Sequence, residues 1–220
     1  MILPRIKQAS KQAKTSNNHP PVPSPQMPDA KPEIVFVTGN QNKLNEVRLI
    51  LGGDATPFQL PNEPLDLEEI QGHDLQEIAE AKLKQAVDQL GPGRPVFVED
   101  TALCFDEFNG LPGAYIKWFV KSMGLEKVVK MLDGFENKGA YAVTTIAYAD
   151  SQGKHHFFQG KTHGTIVPSR GHRNFGWDSI FQPDEAPNGE TYAEMEKADK
   201  NKISQRGRAF DQLKKHLYSS

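Results

Sequence analysis

Residues 33–51 read EIVFVTGNQNKLNEVRLIL, an apolar run delivered into small polar groups and a lysine, then a helical repeat. The run "IVFV" is a strand of the kind buried on both faces of a sheet. Leu44, Val47 and Leu51 recur at helical spacing, and Gly52-Gly53 ends the helix. Between the two, Thr38, Gly39, Asn40, Gln41, Asn42 and Lys43 form a strand-to-helix turn. Free backbone N–H groups and the positive end of a helix dipole point into such a turn, so it can bind an anion, and Lys43 adds a full charge. It can equally be a plain connection in which Asn40 or Asn42 caps the helix. The sequence is not that of a P-loop.

Working outward, "DLQEIAEAKLKQAVDQL" (74–90) predicts a second helix with Leu75, Ile78, Ala79, Ala86, Val87 and Leu90 on one face. The breaker "GPGRP" leads into a strand, "PVFVED", that ends on Glu99 and Asp100. A short amphipathic helix follows at "GLEKVVKMLDGF" (124–135). Strands "YAVTTIAYAD" and "KHHFFQGKTHGTIV" flank the turn "DSQGK", a hairpin signal. The tail "ISQRGRAFDQLKKHL" is helical from Ile203, Phe210, Leu213 and Leu217, with Gly207 as a weak point. Strand–helix–strand first and an antiparallel hairpin later make a mixed-sheet α/β protein. His155, His156 and His163 fall on predicted strands and are expected to face solvent.

Composition sets limits. The chain has 220 residues and one cysteine, Cys104, which excludes an intrachain disulfide and fits a reducing compartment. No apolar run approaches the roughly 18 residues of a membrane span, and no apolar signal core is present. Residues 1–32 hold Arg5, Lys7, Lys11, Lys14 and Lys31 against Asp29, net +4; the whole chain is −2, so residues 33–220 carry −6. An acidic body argues against bulk nucleic acid as the partner, though not against one polyphosphate held by a local cluster. The segment 1–32, with its "HPPVPSPQMPDAKPE", is too rich in proline and polar residues to pack and reads as a disordered basic extension; its start has a weak organelle-targeting character. Residues 33–220 read as the folded domain.

Several positions carry candidate chemistry. In open α/β sheets ligands gather beyond the carboxyl ends of strands, where both "TGN" and "ED" are expected. Carboxylates meeting a phosphate site are natural Mg²⁺ holders, which singles out Glu69, in the loop "DLEEIQG", and Asp100. Lys82 lies within the inward stripe of its helix: either its stem is buried and its ammonium snorkels, or it faces an anion across the cleft. In "NFGWDSIF", Phe175 and Trp177 around Gly176, followed by Asp178, offer faces for a base and a carboxylate for its N–H groups; such a pair is also ordinary core. "KNKISQR" adds Lys200, Ser204, Gln205 and Arg206 near a helix start.

With these residues assembled, the chain resembles the inosine triphosphate pyrophosphatase family, eukaryotic branch. The matching pieces are "IVFVTGNQNKLNEV", "VFVEDTALCF", "GLPGAYIKWF", "FGWDSIFQP", "TYAEM" and "KNKISQR", in the family's order across residues 33–220. The resemblance implies a two-lobed α/β fold, a long mixed sheet with flanking helices under a central cleft, and a homodimer expected in the cytoplasm, with the nucleus as a second location. It implies Mg²⁺-dependent hydrolysis, with Mn²⁺ as an alternative, of deaminated purine triphosphates (ITP, dITP, XTP) to monophosphate and pyrophosphate. Thr38 through Lys43 would hold phosphates. Glu69 and Asp100 would serve the metal, with Asp100 or an acid-held water as base and Thr101 beside it. Lys82 and Lys117 match substrate-contacting lysines. Phe175 to Asp178 would form the base pocket, with Lys200 and Arg206 closing it and Ser204 and Gln205 also binding substrate. One departure is visible: the family usually reads Ser-His-Arg where this chain has Ser204-Gln205-Arg206. Glutamine keeps a donor but adds an acceptor and can rotate, so base choice is expected to loosen. The alternative is a purine nucleotide-binding protein that uses the same cleft without turnover.

Overall fold

A computed structural model describes residues 31–219. The sheet is built from β1 (Val35–Val37), β2 (Asn62–Glu63), β3 (Val96–Phe105), β4 (Pro112–Gly113), β5 (Gly139–Ala149), β6 (His155–Ile166) and β7 (Phe181–Pro183). Its order is β2-β1-β3-β5-β6-β7, with β4 pairing off β3. β1 runs parallel to β2 and β3, while β3, β5, β6 and β7 pair antiparallel. The helices are α1 (Gln41–Leu51), α2 (Leu75–Leu90), α3 (Ile116–Met123), α4 (Leu125–Lys130), α5 (Lys197–Ile203) and α6 (Gln205–Ser219). This is the expected mixed α/β class.

The apolar run at residues 34–37 is buried on both faces, as its lack of alternation requires. Phe36 packs with Leu44, Val47 and Leu51 of α1 and with Phe210 and Leu213 of α6. Val35 and Val37 meet Ala79, Leu83 and Ala86 of α2 on the opposite face. Leu83 joins the buried stripe of α2, whereas Leu75, Val87 and Leu90 stay half-buried. A second core forms one lobe at the far end of the long strands, where Leu103, Phe105, Ile116, Val128, Phe181 and Tyr192 meet. Strands β3, β5 and β6 run through both lobes.

The expected strand "PVFVED" is only the first part of β3, which continues to Phe105. Glu99 and Asp100 therefore stand mid-strand. The register pairs Phe36 with Phe97, so β1 stops where β3 carries on, and the acids still lie just past the end of β1. Pairing with β5 along its whole length keeps β3 extended.

The hairpin turn is held by Asp150 Oδ1, which accepts from the backbone N–H groups of Gln152 and Lys154 at 2.9 and 3.0 Å. His155 and His156 are half-buried and do not simply face solvent, while His163 is exposed. His156 Nε2 lies 2.8 Å from Asp150 Oδ2, and its ring stacks on Tyr148.

Gly207 is a point of close approach. A Cβ there would fall 1.8 Å from the Asn201 carbonyl oxygen, and one at Gly160 of β6 would fall 1.9 Å from the Gln205 carbonyl oxygen. Two missing side chains thus let the start of α6 sit directly on β6 and against α5. Lys31 and Pro32, counted above with the extension, are tied to the body: Lys31 Nζ donates to Thr56 O at 2.7 Å and Pro32 O accepts from Gln59 N at 2.8 Å. The rest of the expected extension lies outside the described residues.

Candidate active site

A cleft of about 730 Å³ opens past the end of β1, lined by Thr38, Gly39, Asn40, Asn42 and Lys43 from the turn, and by Glu69, Lys82, Glu99, Asp100, Thr101 and Lys117. Phe175, Gly176, Trp177, Asp178, Gln205 and Arg206 line it as well. Residues from most of the sequence therefore meet in one cavity. Three expected members do not line it. Gln41 turns along α1 to donate to Asn45 Oδ1 at 2.9 Å. Ser204 Oγ accepts from Gly207 N at 3.0 Å, a helix-capping role. Lys200 lies behind the pocket wall, 4 % exposed.

The turn is more occupied than a bare anion cradle. Asn40 Oδ1 accepts from the N–H groups of Asn42 and Lys43 at 3.0 and 3.2 Å, and Thr38 Oγ1 accepts from Asn40 N at 3.1 Å. Capping is thus what the structure shows for Asn40. The first turn of α1 carries no acid to offset its dipole, and Asn42 Nδ2 reaches across to the Asn174 carbonyl at 3.3 Å.

The pleat of β3 sorts its polar residues. Asp100 shares the α2 face with Val98, and Lys82 Nζ donates to Asp100 Oδ1 at 3.0 Å. Lys82 thus both snorkels and faces a charge. Lys117 of α3 donates to both oxygens of Glu69, at 2.5 and 2.6 Å. Slight burial raises the Glu69 carboxyl, but Lys117 outweighs it and leaves it below its ordinary range.

Glu99 and Thr101 face the other way, toward α6. Arg206 grips the fully buried Glu99 through Nε (3.1 Å) and Nη2 (3.0 Å), and Lys43 Nζ approaches it at 3.3 Å. Burial pulls the Glu99 carboxyl up, yet Arg206 and Lys43 more than offset this and hold it well below the usual carboxylate range. Burial lowers Arg206, but Glu99 and Glu46 reverse that and hold its guanidinium charged. Glu46 of α1 links Arg206 Nη1 (2.5 Å) to Lys200 Nζ (3.0 Å), and Lys200 continues to Asp178 Oδ2 at 2.6 Å. Burial raises the Asp178 carboxyl above its usual value, and Lys200 only partly counters it. Over this network lies Phe175, its ring centroid 4.8 Å from Lys200 Nζ and 5.3 Å from the Arg206 guanidinium carbon. The cleft therefore has a carboxylate–lysine end and an aromatic end floored by buried cations.

Sequence reasoning gave no site role to Glu99, which lines the cleft, or to Glu46 and Tyr192, which stand behind its wall. Glu46 precedes the stripe residue Val47 and looks like an exposed helix position; only the position of α6 turns it inward. Tyr192 lies in "TYAEM", which carried the resemblance without an assigned role. Its hydroxyl donates to Gln205 Oε1 at 3.0 Å, so the glutamine amide expected to rotate is held.

Comparison with known proteins places the chain in a family. Inosine triphosphate pyrophosphatase of Kluyveromyces lactis is 82% identical over 190 residues, 86% of this chain and 98% of that protein. The Saccharomyces cerevisiae protein of the same name is 66% identical over 192 residues, 86% and 97% of the two chains. The solved structure of a HAM1 protein from Coxiella burnetii superposes with a TM-score of 0.75 at 26% identity, covering 86% of this chain and all of that one. A family model described as the Ham1 family matches residues 34–216, and the chain belongs to the Ham1 family.

Proposed function

We propose that this chain hydrolyses deaminated purine nucleoside triphosphates, ITP, dITP and XTP, to the monophosphate and pyrophosphate. The observation that carries the reading is the division of one cleft: Asp100 and Glu69, each holding a lysine, at one end, and Phe175 over buried Lys200 and Arg206 at the other. The name borne by the fungal relatives supports the same reading.

Mg²⁺, or Mn²⁺ in its place, fits the donor set. Among the described residues no group of three or more His, Cys, Asp or Glu side chains could hold a metal by itself, so phosphate oxygens and water would complete the sphere around Glu69 and Asp100, as Mg²⁺ requires. When bound, the ion supplies positive charge against the polyphosphate. Lys43, Lys82 and Lys117 neutralise charge that grows on the phosphate oxygens, with Asn42 and the turn fixing β and γ. Asp100, or a water held by an acid, orients the water that attacks the α-phosphorus, and pyrophosphate leaves with the electrons of the broken P–O bond. Holding both ends of the substrate selects α over γ.

At the base end, cationic and amide donors face an acceptor at purine position 6. Adenine carries a donor there, and each pocket donor left unpaired costs about 1–3 kcal/mol. We extend the proposal to a homodimer, testable by light scattering, and to a cytoplasmic site, consistent with the free, buried Cys104.

Release of pyrophosphate from ITP, with and without Mg²⁺, is the deciding assay. Tight ITP binding with no pyrophosphate released would favour the non-catalytic reading instead.

A further inference from the structure

We propose that Tyr192 is a positioning residue for base selection: its hydroxyl holds the Gln205 amide with oxygen inward, which leaves the Nε2 donor as the group offered to the base. The inference rests on the reading of the cleft as a 6-oxo purine site.

Three observations support it. The Tyr192 hydroxyl donates to Gln205 Oε1 at 3.0 Å, and both residues are buried, at 1 % and 3 % exposure. Burial pushes the Tyr192 phenol up, so the hydroxyl keeps the proton it donates. Tyr192 also touches the rest of the base end: Lys200 Nζ lies 5.2 Å from its ring centroid, and its ring packs against Trp177.

The chemistry follows from the two ends of an amide. A glutamine free to turn can donate to a 6-carbonyl or accept from a 6-amino group, and so does not discriminate. Anchored through Oε1, it can only donate toward the cleft. Hypoxanthine and xanthine satisfy that donor and adenine does not. The buried hydroxyl therefore turns an ambiguous side chain into a selective one.

The test is Tyr192→Phe, alone and combined with Gln205→Met, assayed on ITP and ATP. Tyr192→Phe should lower the ITP-to-ATP ratio of kcat/KM by about three- to tenfold, the worth of one hydrogen bond. In the Gln205→Met background the same change should leave the ratio unaltered. A purely structural role would lower both substrates together and leave the ratio fixed. An unchanged ratio in the single variant, or an equal fall in both backgrounds, overturns the proposal. A second measurement uses the unaltered protein: amide protons of Gln205, assigned by their loss in Gln205→Met, should show no strong nuclear Overhauser effect to the Tyr192 ring. A strong one would mean the nitrogen faces the tyrosine, and would sink the idea even if Tyr192→Phe does not fold. Should the unaltered chain release no pyrophosphate from ITP, the activity reading fails separately. The same ratio is then read from IMP and AMP binding in the same variants.

Discussion

Lys82 Nζ stands 3.0 Å from Asp100 Oδ1, so the acid proposed as metal ligand and base already holds a cation. Lys117 does the same for Glu69. A metal-bound triphosphate would exchange partners on arrival, the lysines passing to phosphate and the acids to the metal. Both pairs are partly exposed, so they contribute little to folding.

Asp100→Asn and Glu69→Gln keep shape and remove charge. Each is expected to cut pyrophosphate release from ITP by about a hundredfold or more, with melting temperature changed by only a few degrees. Near-normal turnover of either variant at limiting Mg²⁺ would remove that residue from the metal site.

Glu99→Gln should behave in the opposite way. It leaves Arg206 in a dry site without its main partner, a loss of about 3–5 kcal/mol for a broken buried pair. Denaturant unfolding measures it; a loss under about 1 kcal/mol would mean Glu46 alone suffices for Arg206.

The same network sets acid sensitivity. Burial raises Glu46 and Glu99, but Arg206 and the lysines hold both below the ordinary value of 4.5. The folded state thus binds fewer protons than the unfolded chain. Their contribution is complete above about pH 4.5 and is lost as pH falls toward the folded values. Asp178, raised by burial, works in the reverse sense: its contribution is present at low pH and lost as pH rises. Thermal melts from pH 3 to 7 should show a steep acid limb that is shallower in Glu99→Gln.

Gln205→His places there the residue that the resemblance leads one to expect. With the amide held by Tyr192, both side chains present one donor, and the ITP-to-ATP ratio should change by less than about twofold. A larger rise in the histidine variant would show that the glutamine turns in use.

Gly207→Ala would press a methyl group onto the Asn201 carbonyl. Helix propensity favours alanine by about 1 kcal/mol, yet the clash should reverse the sign and destabilise by about 1–3 kcal/mol. Calorimetry with an ITP assay would detect both the loss and any shift of Arg206; a stabilised variant would mean α5 gives way at little cost.

The core of the fold was legible because periodicity reports burial: "IVFV", the α1 stripe and the hairpin all fall where their patterns put them. The full length of β3 was not, because Glu99 and Asp100 look like a strand end unless α6 is known to deliver Arg206 to one of them. For the same reason α1's Glu46 resembled a solvated acid. Gly207 looked like a weak helix position because propensity counts backbone freedom and ignores how closely another carbonyl approaches. The cleft itself was foreseen because its residues cluster in short motifs. Which of them point inward depends on packing between α1, α5 and α6, for which a single sequence carries no signal.

Along β3, Glu99 and Thr101 turn to Arg206 while Asp100 turns to Lys82. Consecutive positions on one strand thus serve opposite faces of the sheet. On the reading proposed above, substitutions around α6 that keep the Glu99–Lys43 contact would retune the base end without moving the Lys82–Asp100 pair. A lineage built on this strand could change its substrate and keep its reaction.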